Sequence, residues 1–193
     1  MKALASVIAS WCGGRLIGPD VMVEGVSQDS RKLPQGGLFV ALRGERQDGH
    51  DYVAAVGGVA AAALVERQQS VDLPQIVVDN AESALQRIAS AWLARINPTV
   101  AALTGSNGKS TTKTLTAAIL ARAGTTHATP GNYNNEIGVP LTLLGLRAEH
   151  RYAVVEMGCG KPGDIDLLAA IAPPNAAVVT NVGAAHLERL GSL

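Results

Sequence analysis

The residues with the most chemical content lie in Thr104-Gly105-Ser106-Asn107-Gly108-Lys109-Ser110-Thr111-Thr112. An apolar run, Val100 to Leu103, precedes them and reads as a short buried strand. Lys109 opens a helical pattern with Leu115, Ile119 and Leu120 on one face. Strand, glycine turn and helix start together make a nest of backbone N–H groups at the positive end of a helix dipole, which suits phosphate oxygens. Gly105, Ser106, Asn107, Gly108, Lys109, Ser110 and Thr111 are therefore the candidate nucleotide-phosphate contacts. In such a loop the lysine, here Lys109, faces the β/γ-phosphates, and the hydroxyl of Ser110 can sit on Mg²⁺. A full Walker A motif wants glycine where Leu103 stands, so the match is the shorter Gly-x-x-Gly-Lys-Ser. The plainer reading is a glycine-rich turn with an exposed lysine, but strand, turn, Lys-Ser and helix fall in the order phosphate binding requires.

Three further stretches carry more chemistry than turns need. Tyr152 to Gly158 reads as a strand ending in an acid, Glu156, and in phosphate-loop proteins such an acid holds the metal directly or through water. Pro130-Gly131-Asn132-Tyr133-Asn134-Asn135-Glu136-Ile137-Gly138-Val139-Pro140 is rich in side-chain amides, which both donate and accept without charge and suit a polar substrate. Asn181-Val182-Gly183-Ala184-Ala185-His186 follows an expected buried strand, Ala176 to Thr180, on the edge where the phosphate loop lies. Nearer the N-terminus, Asp29-Ser30-Arg31 combines an acceptor, a hydroxyl and a guanidinium, and Asp48-Gly49-His50 sets a glycine between two polar side chains. Each of these also reads as a solvated loop, and His186 as a structural histidine.

The elements that must position these residues follow from periodicity. Leu4, Val7, Ile8 and Trp11 predict a helix stopped by Gly13-Gly14. Met22 to Val26, Leu38 to Leu42, Ala61 to Val65 and Ile76 to Val78 predict strands, with a short helix capped by Asp51 among them. Glu82 to Ile96 predicts a helix capped near Asn80, burying Leu85, Ile88, Ala89, Trp92 and Leu93 and ended by Asn97-Pro98. A strand is expected over Thr125 to Thr129, a short buried helix through Leu141, Leu143, Leu144 and Leu146, and a helix from Gly163-Asp164 to Ile171. The chain is thus expected to be α/β throughout. A small unit over residues 1–80 precedes a doubly wound parallel sheet over 81–193, expected to be incomplete and to expose an apolar edge prone to self-association.

Composition removes other classes. The 193 residues carry 16 Lys+Arg against 16 Asp+Glu, and only 3% are aromatic, so neither a basic face nor a stacking platform marks nucleic-acid binding. Two cysteines without metal-type spacing, Cys12 and Cys159, support neither a disulfide framework nor a zinc site. No apolar run reaches membrane-spanning length and no signal peptide is legible, so a cytoplasmic location is expected.

Taken together, the Asp-Ser-Arg, Leu38-Phe39-Val40-Ala41-Leu42, Asp-Gly-His, phosphate-loop, Asn134-Asn135-Glu136-Ile137-Gly138-Val139-Pro140, Glu156-Met157-Gly158 and Asn181-to-His186 blocks resemble the Mur ligases of peptidoglycan synthesis. Within that family the Asn-Asn-Glu-Ile-Gly-Val-Pro and Glu-Met-Gly blocks are most similar to the member that joins D-alanyl-D-alanine to UDP-N-acetylmuramoyl-tripeptide. The resemblance implies an N-terminal domain for the uridine diphosphate end of the substrate, a central ATPase domain and a third domain, of which this sequence supplies the first and about half of the second. It implies that ATP and Mg²⁺ serve as cofactors, with no membrane insertion and a monomeric full-length protein. It places Ser30, Arg31, Gly49 and His50 near the uridine diphosphate, and Asn132, Asn134 and Asn135 near the muramoyl-peptide. Lys109 falls on the ATP phosphates, Ser110 and Glu156 on Mg²⁺, and His186 on a second Mg²⁺, with Lys109, Glu156 and His186 as the catalytic set. Two departures stand out: Ser110 where many relatives have threonine, and Cys159-Gly160-Lys161 where relatives usually read Ala-Asn. Another amino-acid ligase of the family, a cyanophycin-synthetase-like relative, a non-catalytic nucleotide-binding module and a generic phosphate-loop NTPase or kinase remain open, although the last leaves the Asp-Ser-Arg and Asn-rich blocks idle.

Overall fold

Two sheets of different design organise the chain, which separates into units Met1–Ala91 and Trp92–Leu193. The structure, a computed structural model, describes residues 1–44 and 47–183.

In the first unit, β1 (Lys2–Leu4), α1 (Ala5–Cys12), β2 (Arg15–Ile17), β3 (Met22–Glu24), β4 (Val26–Ser27), β5 (Gly37–Val40), β6 (Ala60–Val65) and β7 (Gln75–Val77) lead into α2 (Ala81–Ile96). The sheet order is β2-β7-β6-β5-β4, parallel except for the β2–β7 pair. Phe39, Ala63 and Val65 pack with Val53, Val56 and Leu73 in its core. The expected single strand over Met22 to Val26 is broken at Gly25, and β3 pairs instead with β1. That pairing takes Leu4 out of the expected helix. α1 starts at Ala5 and buries Ala5, Ile8, Ala9 and Cys12, and Gly13 closes it in the left-handed conformation by donating to the Ala9 carbonyl. The short helix expected over Tyr52 to Val56 is two 3₁₀ turns, Gly49–Tyr52 and Ala54–Val56. The cap of the first is Asp48 rather than Asp51, because the Asp48 carboxylate accepts from the His50 N–H at 2.9 Å.

Helix α2 matches its pattern. Asn80 Oδ1 accepts from the Ser83 N–H at 2.8 Å, and Leu85, Ile88, Ala89, Trp92 and Leu93 are buried. Full burial of a leucine or isoleucine is worth roughly 1.5–3 kcal/mol, which outweighs the modest intrinsic propensities along this helix. The division between the units falls within it.

The second unit contains β8 (Thr99–Thr104), α3 (Lys109–Leu120), β9 (Thr126–Ala128), α4 (Gly138–Leu144), β10 (Tyr152–Glu156), α5 (Asp164–Ile171) and β11 (Ala176–Val179). Its four strands are all parallel, in the order β11-β8-β10-β9. β8 and β10 are therefore neighbours at the centre, and their register sets Glu156 beside Leu103, so both strands deliver their carboxyl ends to one edge. The Trp92 indole donates to the Leu146 carbonyl at 3.0 Å, anchoring the turn after α4.

Helix α3 opens at Lys109 as its pattern predicts, with Leu115 and Ile119 61% and 70% exposed and Lys113 as its buried residue. Its inner face follows Lys109, Lys113 and Ala117, fixed by a helix axis that begins at the phosphate loop. The expected burial of the strand over Ala176 to Thr180 is overturned. β11 is exposed at all four positions because it is the outer strand beyond β8, and no described element covers it. Among the described residues, no helix is long and apolar enough to cross a membrane.

Candidate nucleotide and metal site

The phosphate loop is shaped by close backbone approach. Gly105 has φ +133, and a Cβ there would lie 2.2 Å from the Thr180 hydroxyl, so no other residue fits without displacement. The Thr180 hydroxyl donates to the Asn107 carbonyl at 2.6 Å. Asn181 accepts from the amides on either side of that turn, Ser106 N–H on its carbonyl at 3.2 Å and Asn107 N–H on its side chain at 2.9 Å. Ser106 Oγ in turn donates to the Gly183 carbonyl at 2.9 Å. The early loop amides are thus committed to the strand-end segment after β11. The N–H groups of Lys109, Ser110 and Thr111 open α3 with no carbonyl one turn back among the described residues, an arrangement that suits an anion, while Thr112 N–H already donates to the Gly108 carbonyl at 2.9 Å. The Lys109 ammonium folds back onto the Gly105 carbonyl.

Beside this turn the ends of α3 and β10 and the Asn-rich loop converge on one carboxylate. Glu156 is 2% exposed. Its Oε2 accepts from Ser110 Oγ at 3.1 Å and pairs with Lys113 Nζ at 3.1 Å, while Oε1 accepts from Asn134 Nδ2 at 2.9 Å. Its own N–H donates to the buried Thr129 hydroxyl at 2.9 Å. Burial by itself raises the Glu156 carboxyl, but the hydrogen bonds from Asn134, Lys113 and Ser110 together with the Lys113 charge outweigh it and hold the group below the usual carboxylate range. Asn134 is fixed in turn by the Gly158 N–H, which donates to its carbonyl at 2.7 Å.

Ser110, Glu156 and Asn134 are thus brought together, next to Gly108, Lys109 and Thr111. The Asn135 side chain serves the loop itself, and Asn132 enters it through its backbone. The Asn132 carbonyl accepts from the Asn134 N–H at 2.8 Å, and Asn135 Oδ1 accepts from the Gly138 N–H at the start of α4 at 2.8 Å. His186 lies outside the described residues. Lys113 and Thr129 were missed by the sequence reading. The signal for Lys113 was its place one helical turn after Lys109, on the same face.

The remaining candidates belong to the first unit. The turns Ser30–Lys32 and Gly49–Tyr52 follow β4 and β5, which are adjacent and parallel. Arg31 is bound back on its own turn by a fork to Asp29, at 2.9 and 3.0 Å, and stays largely exposed. Hydrogen bonds from the Arg31 side chain and N–H draw the Asp29 carboxyl down to about 2. At Gly49 a Cβ would lie 2.7 Å from the backbone of Leu42, so glycine is required for this close approach. His50 is buried and both its ring nitrogens are used internally, Nδ1 on Asp48 at 2.6 Å and Nε2 accepting from the Glu66 N–H at 2.9 Å. It supports the turn and has no ring nitrogen left for a ligand.

A glycine turn between a parallel strand and a helix, with a hydroxyl on the helix and a buried acid at the end of the next strand, defines a phosphate-loop nucleotide-binding domain. Two family profiles match the sequence: the Mur ligase middle domain over residues 103–193, and the catalytic domain of the Mur ligase family over residues 22–93. The chain belongs to the Mur ligase family. It is 48% identical over 182 residues to the UDP-N-acetylmuramoyl-tripeptide–D-alanyl-D-alanine ligase of Escherichia coli K12, covering 93% of this chain and 40% of that protein. To the ligase of the same name from Bacillus subtilis 168 it is 41% identical, covering 100% of this chain and 44% of the relative. Among solved structures, MurF from Acinetobacter baumannii superposes with a TM-score of 0.94 at 37% identity, over 100% of this chain and 44% of that one. MurF from Thermotoga maritima in complex with ADP gives 0.77 at 36% identity, over 86% and 39%. The chain therefore spans about two fifths of the length of the relatives it matches.

Proposed function

We propose that this chain is the nucleotide-precursor and ATP-binding portion of a ligase that joins D-alanyl-D-alanine to UDP-N-acetylmuramoyl-tripeptide in the cytoplasm. The observation that carries the reading is the Ser110–Glu156–Asn134 cluster: a phosphate-loop hydroxyl and an amide from the Asn-rich loop meet on one buried carboxylate. The names of the relatives supply the substrates.

The donor set fits Mg²⁺. A carboxylate and a hydroxyl are hard oxygen donors, and Mg²⁺ takes one or two such protein groups, completing its shell with phosphate and water. Among the described residues no group of three or more His, Cys, Asp or Glu forms a dedicated cage. Ser110 and Glu156 would hold the ion, which supplies charge neutralisation on the transferring phosphoryl group.

Forming an amide from a carboxylate in water is uphill, so the tripeptide carboxylate first takes the γ-phosphoryl group and the dipeptide amine then displaces phosphate from the acyl phosphate. The work of this chain in that sequence is alignment and electrostatics rather than covalent catalysis. Lys109 leaves the Gly105 carbonyl to meet phosphate oxygens, and the α3 amides orient them. Asn134 connects the acid to the loop that faces the muramoyl-peptide. In the first unit, the carboxyl ends of β4 and β5 carry Ser30, Arg31 and Gly49 to the uridine diphosphate.

Phosphate release from ATP by the full-length protein tests this directly. It should require both UDP-N-acetylmuramoyl-tripeptide and D-alanyl-D-alanine, and should fall by roughly 10²–10³ in Lys109→Ala. Release indifferent to the dipeptide would point to another amino-acid ligase of the family or to a plain NTPase.

A further inference from the structure

Lys113 is the buried residue of the phosphate-loop helix, and its side chain is 9% exposed. A lysine is rarely enclosed unless paired, and among the described residues its polar partners are the Gly131 carbonyl at 2.7 Å and Glu156 Oε2 at 3.1 Å. The ammonium therefore stands on the same carboxylate oxygen that receives the Ser110 hydroxyl. That oxygen and that hydroxyl are the two donors assigned above to the metal. One negative charge is balanced by one positive charge inside the protein before any ion arrives.

We propose that Lys113 is a positioning residue that makes metal binding conditional on nucleotide. This rests on the ATP and Mg²⁺ reading of the site. A free divalent cation approaching Glu156 meets a carboxylate already neutralised by a fixed ammonium about 3 Å away, and repulsion at that range in a partly desolvated site is severe. Nucleotide phosphates bring the negative charge that the protein withholds, so the ion enters with the phosphates. The Gly131 carbonyl gives the ammonium a second anchor in the Asn-rich loop, which keeps it in place when Oε2 turns to the ion. The arrangement also prevents the acid from collecting adventitious cations between turnovers.

The test uses Mn²⁺ as the probe, followed by its electron paramagnetic resonance signal, on the full-length protein at constant pH, with and without ADP. Wild type should bind Mn²⁺ with ADP and at least about tenfold more weakly without it. Lys113→Met, similar in length but uncharged, should bind free Mn²⁺ at least about tenfold more tightly than wild type without ADP, and Lys113→Arg should behave as wild type. Circular dichroism and metal-free ADP binding establish that the variants are folded. Should Lys113→Met not fold, the comparison of wild type with and without ADP still decides, because equal Mn²⁺ affinity in the two conditions overturns the proposal. Tight ADP-dependent binding that Lys113→Met leaves unchanged without ADP overturns the role of Lys113 alone. Absence of Mn²⁺ binding even with ADP overturns the metal reading itself.

Discussion

The Ser110 hydroxyl donates to Glu156 Oε2 across 3.1 Å, although 46 residues separate the two in sequence. The contact exists because β8 and β10 are adjacent and in register, so that a helix starting just after one strand stands over the end of the other. Under the proposed metal role, the position needs a hydroxyl. Ser110→Thr is expected to retain ATP-dependent phosphate release within about twofold, whereas Ser110→Ala should lose roughly 10–100-fold. The Mg²⁺ concentration for half-maximal release should rise in the alanine variant alone. Equal loss in both variants would mean that the site tolerates no change of shape and that the hydroxyl has no special part.

The Lys113–Glu156 pair makes a separate statement about stability. Both side chains are buried, so removal of one charge leaves the other without a partner in a poorly solvating interior. Glu156→Gln should therefore destabilise the fold by about 3–5 kcal/mol. The double variant Glu156→Gln, Lys113→Met should recover most of that loss, since two neutral groups of similar volume replace the pair. Urea unfolding of the four proteins gives the coupling directly. Additive losses would show that the two charges are solvated in spite of their burial.

Much of this arrangement was legible before any coordinates. Order and spacing located the phosphate loop, the acid at the end of β10 and the helix α2, because each is written in consecutive residues with a local cause: a glycine turn, a strand end, an Asn80 cap over an apolar stripe. What sequence reasoning lost was decided at long range. The pairing of Leu4 with Met22 converted a helix start into a strand, and the edge position of β11 left Val178 and Val179 exposed where a buried strand was expected. The inward face of α3 is likewise decided at long range: apolar Leu115 and Ile119 are exposed, and Lys113 takes the buried position beside Glu156.

Acid should weaken the first unit and the site in a defined direction. The Asp29 carboxyl titrates near 2, and Asp48 and Glu156 also lie below their ordinary values; for Asp48 the causes are the His50 N–H and ring, with Arg67 adding to them. A carboxyl whose folded value is depressed binds fewer protons in the native state than in the unfolded one. Its contribution is complete above the unfolded carboxylate range, about pH 4, and is lost as pH falls toward the folded values. Thermal midpoints should be flat from about pH 7 to 5 and decline progressively below about pH 4. Asp48→Asn should make that decline shallower. A midpoint that rises on acidification would contradict the sign of all three shifts.

Under the proposed function, the two turns at the ends of β4 and β5 separate support from recognition. His50 spends both ring nitrogens internally, while the Arg31 side chain is 85% exposed and, among the described residues, tied to its own turn through Asp29. His50→Phe conserves the ring volume but leaves the Glu66 N–H without its acceptor and Asp48 without its ring donor, which should cost about 1–3 kcal/mol of stability. Arg31→Ala removes an exposed fork and should leave the thermal midpoint nearly unchanged. Binding of UDP-N-acetylmuramoyl-tripeptide, measured by calorimetry on the full-length protein, should respond in the opposite order. Arg31→Ala should weaken it roughly tenfold through loss of a charge-assisted contact to the diphosphate, and folded His50→Phe only slightly. If His50→Phe instead weakened binding as much as Arg31→Ala at a temperature where both are folded, the imidazole would have to turn out of its internal bonds to reach the substrate, and the assignment of His50 to support would fall.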